Sequence, residues 1–394
     1  MPKLLQINVD SALYSCGKIC EEISIVAQQY GWDTYVAFGR EHKAGVNKEI
    51  HVGNWLNVYE HFFEHRLLDN EGLASRISTK HLIKEIESVR PDIIQLHVIH
   101  DHWLNFPILF NYLNKSSVPV VWTFHDCWAI TGHCFHFVTK NCMRWKEQCM
   151  NCPLSKEYPK SLIDKSKRNY LLKKKLFAGK DNLTIVSCSN WMDDIVRHSF
   201  LKDKSLCVIK NGIDLSVFKP TKQKKEGSFV VLTVSSVWNK EKGIYDVFKL
   251  RGLLPDSFII VMVGLNKSQI KSIPQGIIGI ERTNNLKDMV DLYSSSHVLI
   301  NLTYADTFPT VNMESLACGT PVITYNTGGS PEIIDYKTGR VVDQGDVEAV
   351  AKEIIKMKEH PLSYKDCRER AETYFDKKKC FEGYINLYNK LINK

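Results

Sequence analysis

Short apolar runs rich in β-branched residues alternate with longer amphipathic stretches along almost the entire chain, the pattern of parallel sheets wound with helices. "LLQINV", "DTYVAF", "DIIQLH", "VPVVWTF" and "LTIVSCS" predict the strands of a first half. "SFVVLTVS", "FIIVMVGL", "SHVLINLTY" and "TPVITY" predict those of a second. Their near-continuous hydrophobicity implies that helices cover both faces of each sheet. Between the halves, "NGIDLSVFKPTKQKKEGS" opens on an Asn-Gly turn and ends in a polar, lysine-rich run of linker composition. The pattern predicts an α/β chain of two doubly wound Rossmann-like domains, 1–212 and 228–376, joined by a linker over 213–227 and facing each other across a cleft. In open sheets of this kind ligands bind beyond the carboxyl ends of the strands, so the residues just after each strand are the candidates for chemistry.

A length of 394 residues is enough for two domains with separate cores, and 44% hydrophobic with 24% charged residues sits in the soluble globular range. The opening "MPKLLQINVD" enters a strand pattern without the apolar core of a signal peptide, and the longest apolar runs are too short to span a bilayer, so a cytosolic protein is expected. In that compartment twelve cysteines point to reduced thiols or metal ligation rather than a disulfide framework. The net charge of +8 is concentrated in residues 156–180, where nine lysines and arginines face two acids. Such a run is either a solvated helix face or a patch attracted to anionic lipid headgroups. Nucleic acid is excluded as a partner because no binding module surrounds the run.

The segment "YADTFPTVNMESLACGTPVITYNTGGSPEII" carries two acids, Asp306 and Glu314, around a helix start. Asp306 lies just beyond the strand "SHVLINLTY". Thr307 is a good cap, Pro309 is tolerated in a first turn, and Gly319 with Pro321 marks an end, which predicts a helix over about 308–318. The first-turn amides of Thr310 and Val311 lack an acceptor inside that helix, and the dipole there is positive, which is the chemistry of a phosphate site. Glu314 lies one turn beyond Thr310 on the same face, where a carboxylate accepts both vicinal hydroxyls of a ribose. Bare spacing of two acids is common, and Asp306 alone would serve as a cap. Placement directly after a buried strand is what favours a ligand.

Two further stretches carry candidate chemistry. His125 follows "VPVVWTF" with Asp126 beside it, at a strand's carboxyl end, although a lone histidine is commonly an ordinary structural side chain. "HDCWAITGHCFHFVTKNCMRWKEQCMNC" places Cys134, Cys142, Cys149 and Cys152 together and closes on a Cys-x-x-Cys pair. Four thiolates complete a tetrahedral structural zinc site, with His133 and His136 as further candidates. The first gaps are irregular for a standard zinc module, and reduced, unligated thiols remain the alternative.

The acidic segment resembles the signature of family 4 of the retaining glycosyltransferases, in which an acid, seven residues and a glutamate precede "ACGTPVI" and a Gly-Gly-x-Pro-Glu turn. "VIKNGIDLSVFKP" is similar to that family's domain-joining strand and turn. "VSSVWNKEKGI" is similar to the first strand and loop of its donor domain, with Lys242 at the lysine-glycine step. "TFHDCWAITGHC" is similar to a subgroup that assembles colanic acid, O-antigen and exopolysaccharide. The resemblance implies a GT-B architecture whose last helix, 377–394, crosses back onto the first domain. It implies that Glu314 binds the donor ribose, Asp306 contacts the transferred sugar and Lys242 neutralises the leaving diphosphate, a task suited to a compact ammonium. His125 would lie near the reacting carbon. Gly17, ahead of a helix striped by Ile19, Ile23, Val26 and Tyr30, would let a second helix start approach the donor phosphates. The family pairs its lysine with an upstream arginine that "SSVWN" lacks, leaving Lys240 or a residue from elsewhere to substitute.

These readings predict a retaining glycosyltransferase that moves a hexose or N-acetylhexosamine from a nucleotide-diphosphate sugar, UDP-linked in preference to GDP-linked. The expected acceptor is a saccharide or polyprenyl-diphosphate-linked oligosaccharide, in surface polysaccharide biosynthesis at an anionic membrane surface. No cofactor is required for the chemistry. A nucleotide-sugar epimerase on the same architecture stays open, as does an inactive saccharide- or lipid-binding relic, the latter because of the missing arginine.

Overall fold

A computed structural model describes residues 1–222, 227–283 and 285–393. The chain divides into two compact units, one of Met1–Lys210 with the chain from Phe381 onward, the other of Asn211–Cys380. The first holds strands β1 (Lys3–Asn8), β2 (Asp33–Phe38), β3 (Lys48–His51), β4 (Ile93–Leu96), β5 (Val120–Phe124), β6 (Leu183–Ser187) and β7 (Ser205–Val208). They form one parallel sheet in the order β3-β2-β1-β4-β5-β6-β7, with Leu5 in register with both Tyr35 and Ile94. Every residue of β4, β5 and β6 is buried, as a sheet covered on both faces requires. Its core packs Ile7, Leu96 and Trp122 against Phe106, Phe110 and Phe177.

The second unit holds β8 (Phe229–Val234), β9 (Phe258–Val263), β10 (Ile277–Ile280), β11 (Val298–Asn301), β12 (Val322–Tyr325) and β13 (Gly339–Val342), parallel in the order β10-β9-β8-β11-β12-β13. Both sheets are thus doubly wound. Strand order reverses between β1 and β4 in one and between β8 and β11 in the other, and these reversals are where such sheets hold ligands. The hydrophobic pattern named the nine interior strands and missed β3, β7, β10 and β13, which are the four sheet edges. An edge strand has one neighbour and a solvent flank, so it reads "KEIH" rather than "VVWTF".

The stretch 213–227 is not a free linker where it is described. Ile213 donates its amide to Phe375 O at 2.8 Å and accepts from Lys377 N at 3.1 Å. Phe218 is buried, and Arg368 donates to its carbonyl at 2.6 Å. Residues 211–222 therefore fold with the second unit, while 223–226 lie outside the described residues. The final helix, Lys377–Ile392, buries Phe381, Tyr384, Ile385 and Tyr388, a stripe at helical spacing. Tyr384 Oη shares a 3.1 Å hydrogen bond with Thr123, Tyr388 Oη donates to Gln95, and the Tyr388 ring meets Trp32 edge-on. Lys394, included in the predicted 377–394 helix, lies outside the described residues. Among the described residues no helix is long and apolar enough to cross a membrane.

Candidate active site

In the second unit the loops after β8 and β11 are tied together at the reversal of strand order. Tyr304 N donates to Glu241 O at 2.7 Å. Gly243, at φ 74°, turns the chain into the helix Ile244–Leu253 so close to the neighbouring loop that a Cβ would stand 2.2 Å from Leu302 O. Asn239 Oδ1 accepts the Lys242 amide at 2.9 Å. These contacts bring Lys242 Nζ to 3.0 Å from Asp306 Oδ2, and both side chains stay part-exposed, at 36% and 24%, so a ligand can reach them. The Gly-Gly turn has a physical reason as well. Gly328, at φ 54°, lies against the Asp306 peptide, and a Cβ there would meet Asp306 O at 1.7 Å.

The helix after Asp306 runs Thr310–Ala317 with Pro309 as its cap, shorter than the expected 308–318, and Thr307 is not the cap. Proline disfavours helical backbone in the residue before it, which keeps Phe308 out of the helix. Thr310 and Val311 remain the first two helical residues, as the phosphate reading requires. Glu314 is held from behind, its Oε2 accepting the Tyr293 hydroxyl at 2.8 Å. Tyr293 is buried, and burial with the adjacent Glu314 holds its hydroxyl far above the usual phenol range, so it stays a donor. Gln344 Nε2 braces the same loops by donating to Tyr304 O at 3.1 Å and Thr327 Oγ1 at 2.8 Å. In the "SSVWN" stretch that lacks an arginine, Trp238 is buried and donates to Val263 O, and Lys240, just after it, is exposed in the turn.

In the first unit His125 stands just past β5 and is coupled to the reversal between β1 and β4. Gln6 Nε2 donates to Cys20 O, which fixes Gln6 Oε1 as an acceptor for His97 Nε2 at 2.8 Å. His97 Nδ1 is then the acceptor for His125 Nε2–H at 3.0 Å, with the rings stacked. One backbone carbonyl thus selects the tautomer of both rings. Burial, outweighing Asp126, pulls His125 down to about 4, and burial, then the neighbouring His125, holds His97 well below the usual imidazole range, so both are neutral near pH 7. Beside them His100 Nε2 bonds Asp126 Oδ2 at 2.7 Å. Burial works against Asp126 ionisation, but His100 overcomes it and the carboxyl falls to about 2. Gly17 does not precede a helix. It lies in the first turn of Tyr14–Gln29, where a Cβ would come 3.2 Å from Asp10 O, so it serves close packing of that turn on the preceding loop. Tyr30 is largely exposed rather than part of the buried stripe.

Cys134, Cys142, Cys149 and Cys152 line one small pocket with Phe137, Trp145 and Leu154, and no disulfide joins them. Burial pushes the thiols of Cys149 and Cys152 up to about 11 and about 12. Among the described residues the triads with ligand atoms within 4.8 Å of one another are His65/Asp69/His133 and His65/Glu71/His102. The basic run is only in part a solvated face, since Lys173 and Lys180 are buried. Lys173 donates to Trp128 O and Thr131 O, and burial draws its ammonium down to about 7. Tyr293, Gln344, Gln6 and His97 escaped the sequence reading. Only His97, closing the strand run "DIIQLH", carried a positional signal.

With this geometry in place, residues 31–217 match the family described as Glycosyltransferase Family 4, and residues 217–374 match Glycosyl transferases group 1. The putative colanic acid biosynthesis glycosyl transferase WcaC of Escherichia coli K12 is 21% identical over 98% of this chain and 100% of its own length. Sucrose-phosphate synthase of Thermosynechococcus elongatus superposes over all of both chains with a TM-score of 0.76 at 16% identity. HepE of Anabaena in complex with UDP-glucose superposes over 98% of this chain and 99% of its own with 0.65 at 13% identity. These structural likenesses show the fold, that of the GT-B class.

Proposed function

From the premise that this chain has the GT-B fold and matches a family 4 glycosyltransferase domain followed by a group 1 domain, we propose that it is a glycosyltransferase that transfers a hexose or N-acetylhexosamine from a UDP-sugar with retention of configuration. The observation that carries the reading is the Lys242–Asp306 pair at the reversal of strand order, next to the helix start at Thr310. In this reading the diphosphate rests on the Thr310 and Val311 amides, Lys242 turns from Asp306 to the departing oxygen, and Glu314 holds the ribose. Asp306, released from its ion pair, accepts hydrogen bonds from the sugar. The bond from the anomeric carbon to the diphosphate breaks as the acceptor oxygen bonds to the same face, and the acceptor proton passes to the leaving phosphate. His125, neutral and fixed in tautomer, orients a hydroxyl rather than carrying charge. HepE, whose structure holds UDP-glucose, supports uridine as the base.

The description of WcaC supports surface polysaccharide assembly, and hence a saccharide or polyprenyl-diphosphate-linked acceptor. A membrane-facing position is supported by the helix Trp55–Leu68, which exposes Trp55, Tyr59, Phe62, Phe63 and Leu67. Leu162 N donates to Arg66 O, which places the exposed lysines 160 and 167 on the neighbouring segment. A structural zinc on the four pocket cysteines is proposed alongside, independent of catalysis. To test the assignment, Glu314→Ala is given a panel of nucleotide sugars with a lipid-diphosphate acceptor, and mass gain is followed. Transfer should be lost with the fold intact; unchanged turnover removes the site.

A further inference from the structure

We propose that His65, Glu71 and His102 form a binding site for one divalent transition-metal ion of the zinc class inside the first unit. Glu71 Oε2 lies 2.8 Å from His65 Nδ1 and 3.0 Å from His102 Nε2, and the two nitrogens are 2.7 Å apart. The three side chains are 3%, 3% and 9% exposed and come from three places: the helix Trp55–Leu68, the loop after it, and the loop that follows β4. With one N–H shared between the two rings at 2.7 Å, no well-formed hydrogen bond closes on the buried Glu71 Oε2, although both nitrogens stand within ion-pair distance of it, a rare and costly condition for a buried carboxylate oxygen. Three lone-pair atoms turned on one point are satisfied together by a cation.

The surroundings are built as metal sites are. Glu71 Oε1 accepts from the Asp101 and His102 amides at 2.7 and 3.1 Å, which turns Oε2 inward. To deliver those amides, Asp101 and His102 both adopt left-handed backbone, φ 75° and 68°, a conformation that persists only where its surroundings over-determine it. Asp101 Oδ1 stands 3.5 Å from His102 Nδ1, the place of the carboxylate that commonly backs a ligating imidazole. Two nitrogens and one carboxylate suit zinc, cobalt or nickel better than calcium or magnesium. Burial assigns the ion a structural task, clamping the helix Trp55–Leu68 to the loop after β4.

The site is separable from the cysteine pocket because cobalt reports its ligands. Co2+ is added to the chelator-treated full chain carrying Cys149→Ser and Cys152→Ser. The expected result is visible ligand-field absorption without thiolate charge transfer, displaced by Zn2+. Asp101→Asn should weaken zinc binding by about 10–100-fold, and Glu71→Gln or His102→Gln by more than about 100-fold. Circular dichroism screens each variant for folding. Should Glu71→Gln not fold, His102→Gln and His65→Gln provide the same reading, and metal analysis of the unsubstituted chain gives the stoichiometry. Absence of cobalt binding in the cysteine variant overturns the proposal, as does a cobalt spectrum that folded Glu71→Gln leaves unchanged.

Discussion

Lys242→Ala separates chemistry from stability more cleanly than any other change in the second unit. The Lys242–Asp306 pair is part-exposed on both sides, at 36% and 24%. Pairs in such surroundings contribute about 0–1 kcal/mol once screening and side-chain entropy are counted. In a domain of this size that is worth about 2–4 °C in melting temperature at most. The expected loss in catalysis is far larger. Removing one donor aimed at a developing oxyanion costs about 100–1,000-fold in kcat, or about 2.7–4 kcal/mol. Here the loss is compounded, because Asp306 keeps its charge beside the diphosphate once its partner is gone. The assay is the initial rate of nucleotide diphosphate release at saturating donor and acceptor, read with a thermal melt of the same preparation. A kcat within tenfold of the unsubstituted protein refutes the role. So does a fall in melting temperature large enough to account for the lost activity by unfolding.

Gly328→Ala must adopt left-handed backbone, about 1–2 kcal/mol, and overpack against a peptide oxygen, about 1–3 kcal/mol more, so it should lower both the melting temperature and transfer; an unshifted melt contradicts the packing of that turn on Asp306. Tyr388→Ala removes a wholly buried ring from the last helix and should cost about 3–5 kcal/mol in a urea titration, whereas a cost under about 1 kcal/mol would place that helix outside the first unit's core. His125 is held at about 4 against an ordinary 6.5, and His97 is likewise held well below its ordinary value, so between about 4 and 6.5 the unfolded chain binds more protons than the folded one. Stability should therefore fall as pH drops from about 6.5 to about 4, and a flat profile there in pH-dependent urea melts contradicts neutral, buried rings.

Legibility in the sequence followed burial. A strand covered on both faces, such as Val120–Phe124, has no reason to carry polar residues and reads plainly, whereas Lys48–His51 owes its conformation to the neighbour it pairs with. Asp306 and Glu314 were legible from their place after a buried strand and around a helix start, and Lys242 because resemblance located it. Their mutual placement was not, because the 3.0 Å contact depends on how closely Gly243 and Gly328 let two loops approach. Gly17 was expected just ahead of its helix and lies instead in the first turn, packed against the Asp10 carbonyl. Tyr293 and Gln344 act on residues distant in sequence, and no local pattern marks such partners. The metal triad was hidden for the same reason. His65, Glu71 and His102 have no recognisable spacing, and only the turn through Asp101 and His102 closes it.

That the first unit recruits the chain from Phe381 onward has a consequence for biosynthesis. A ribosome delivers β1 to β7 first, yet the groove that receives Tyr384 and Tyr388, floored by Trp32, Gln95 and Thr123, stays open until translation has run past the whole second unit. The second unit, contiguous in sequence, can close during that interval. The nascent amino-terminal half waits with that groove, its Trp32 ring included, uncovered, and chaperone dependence should therefore concentrate there.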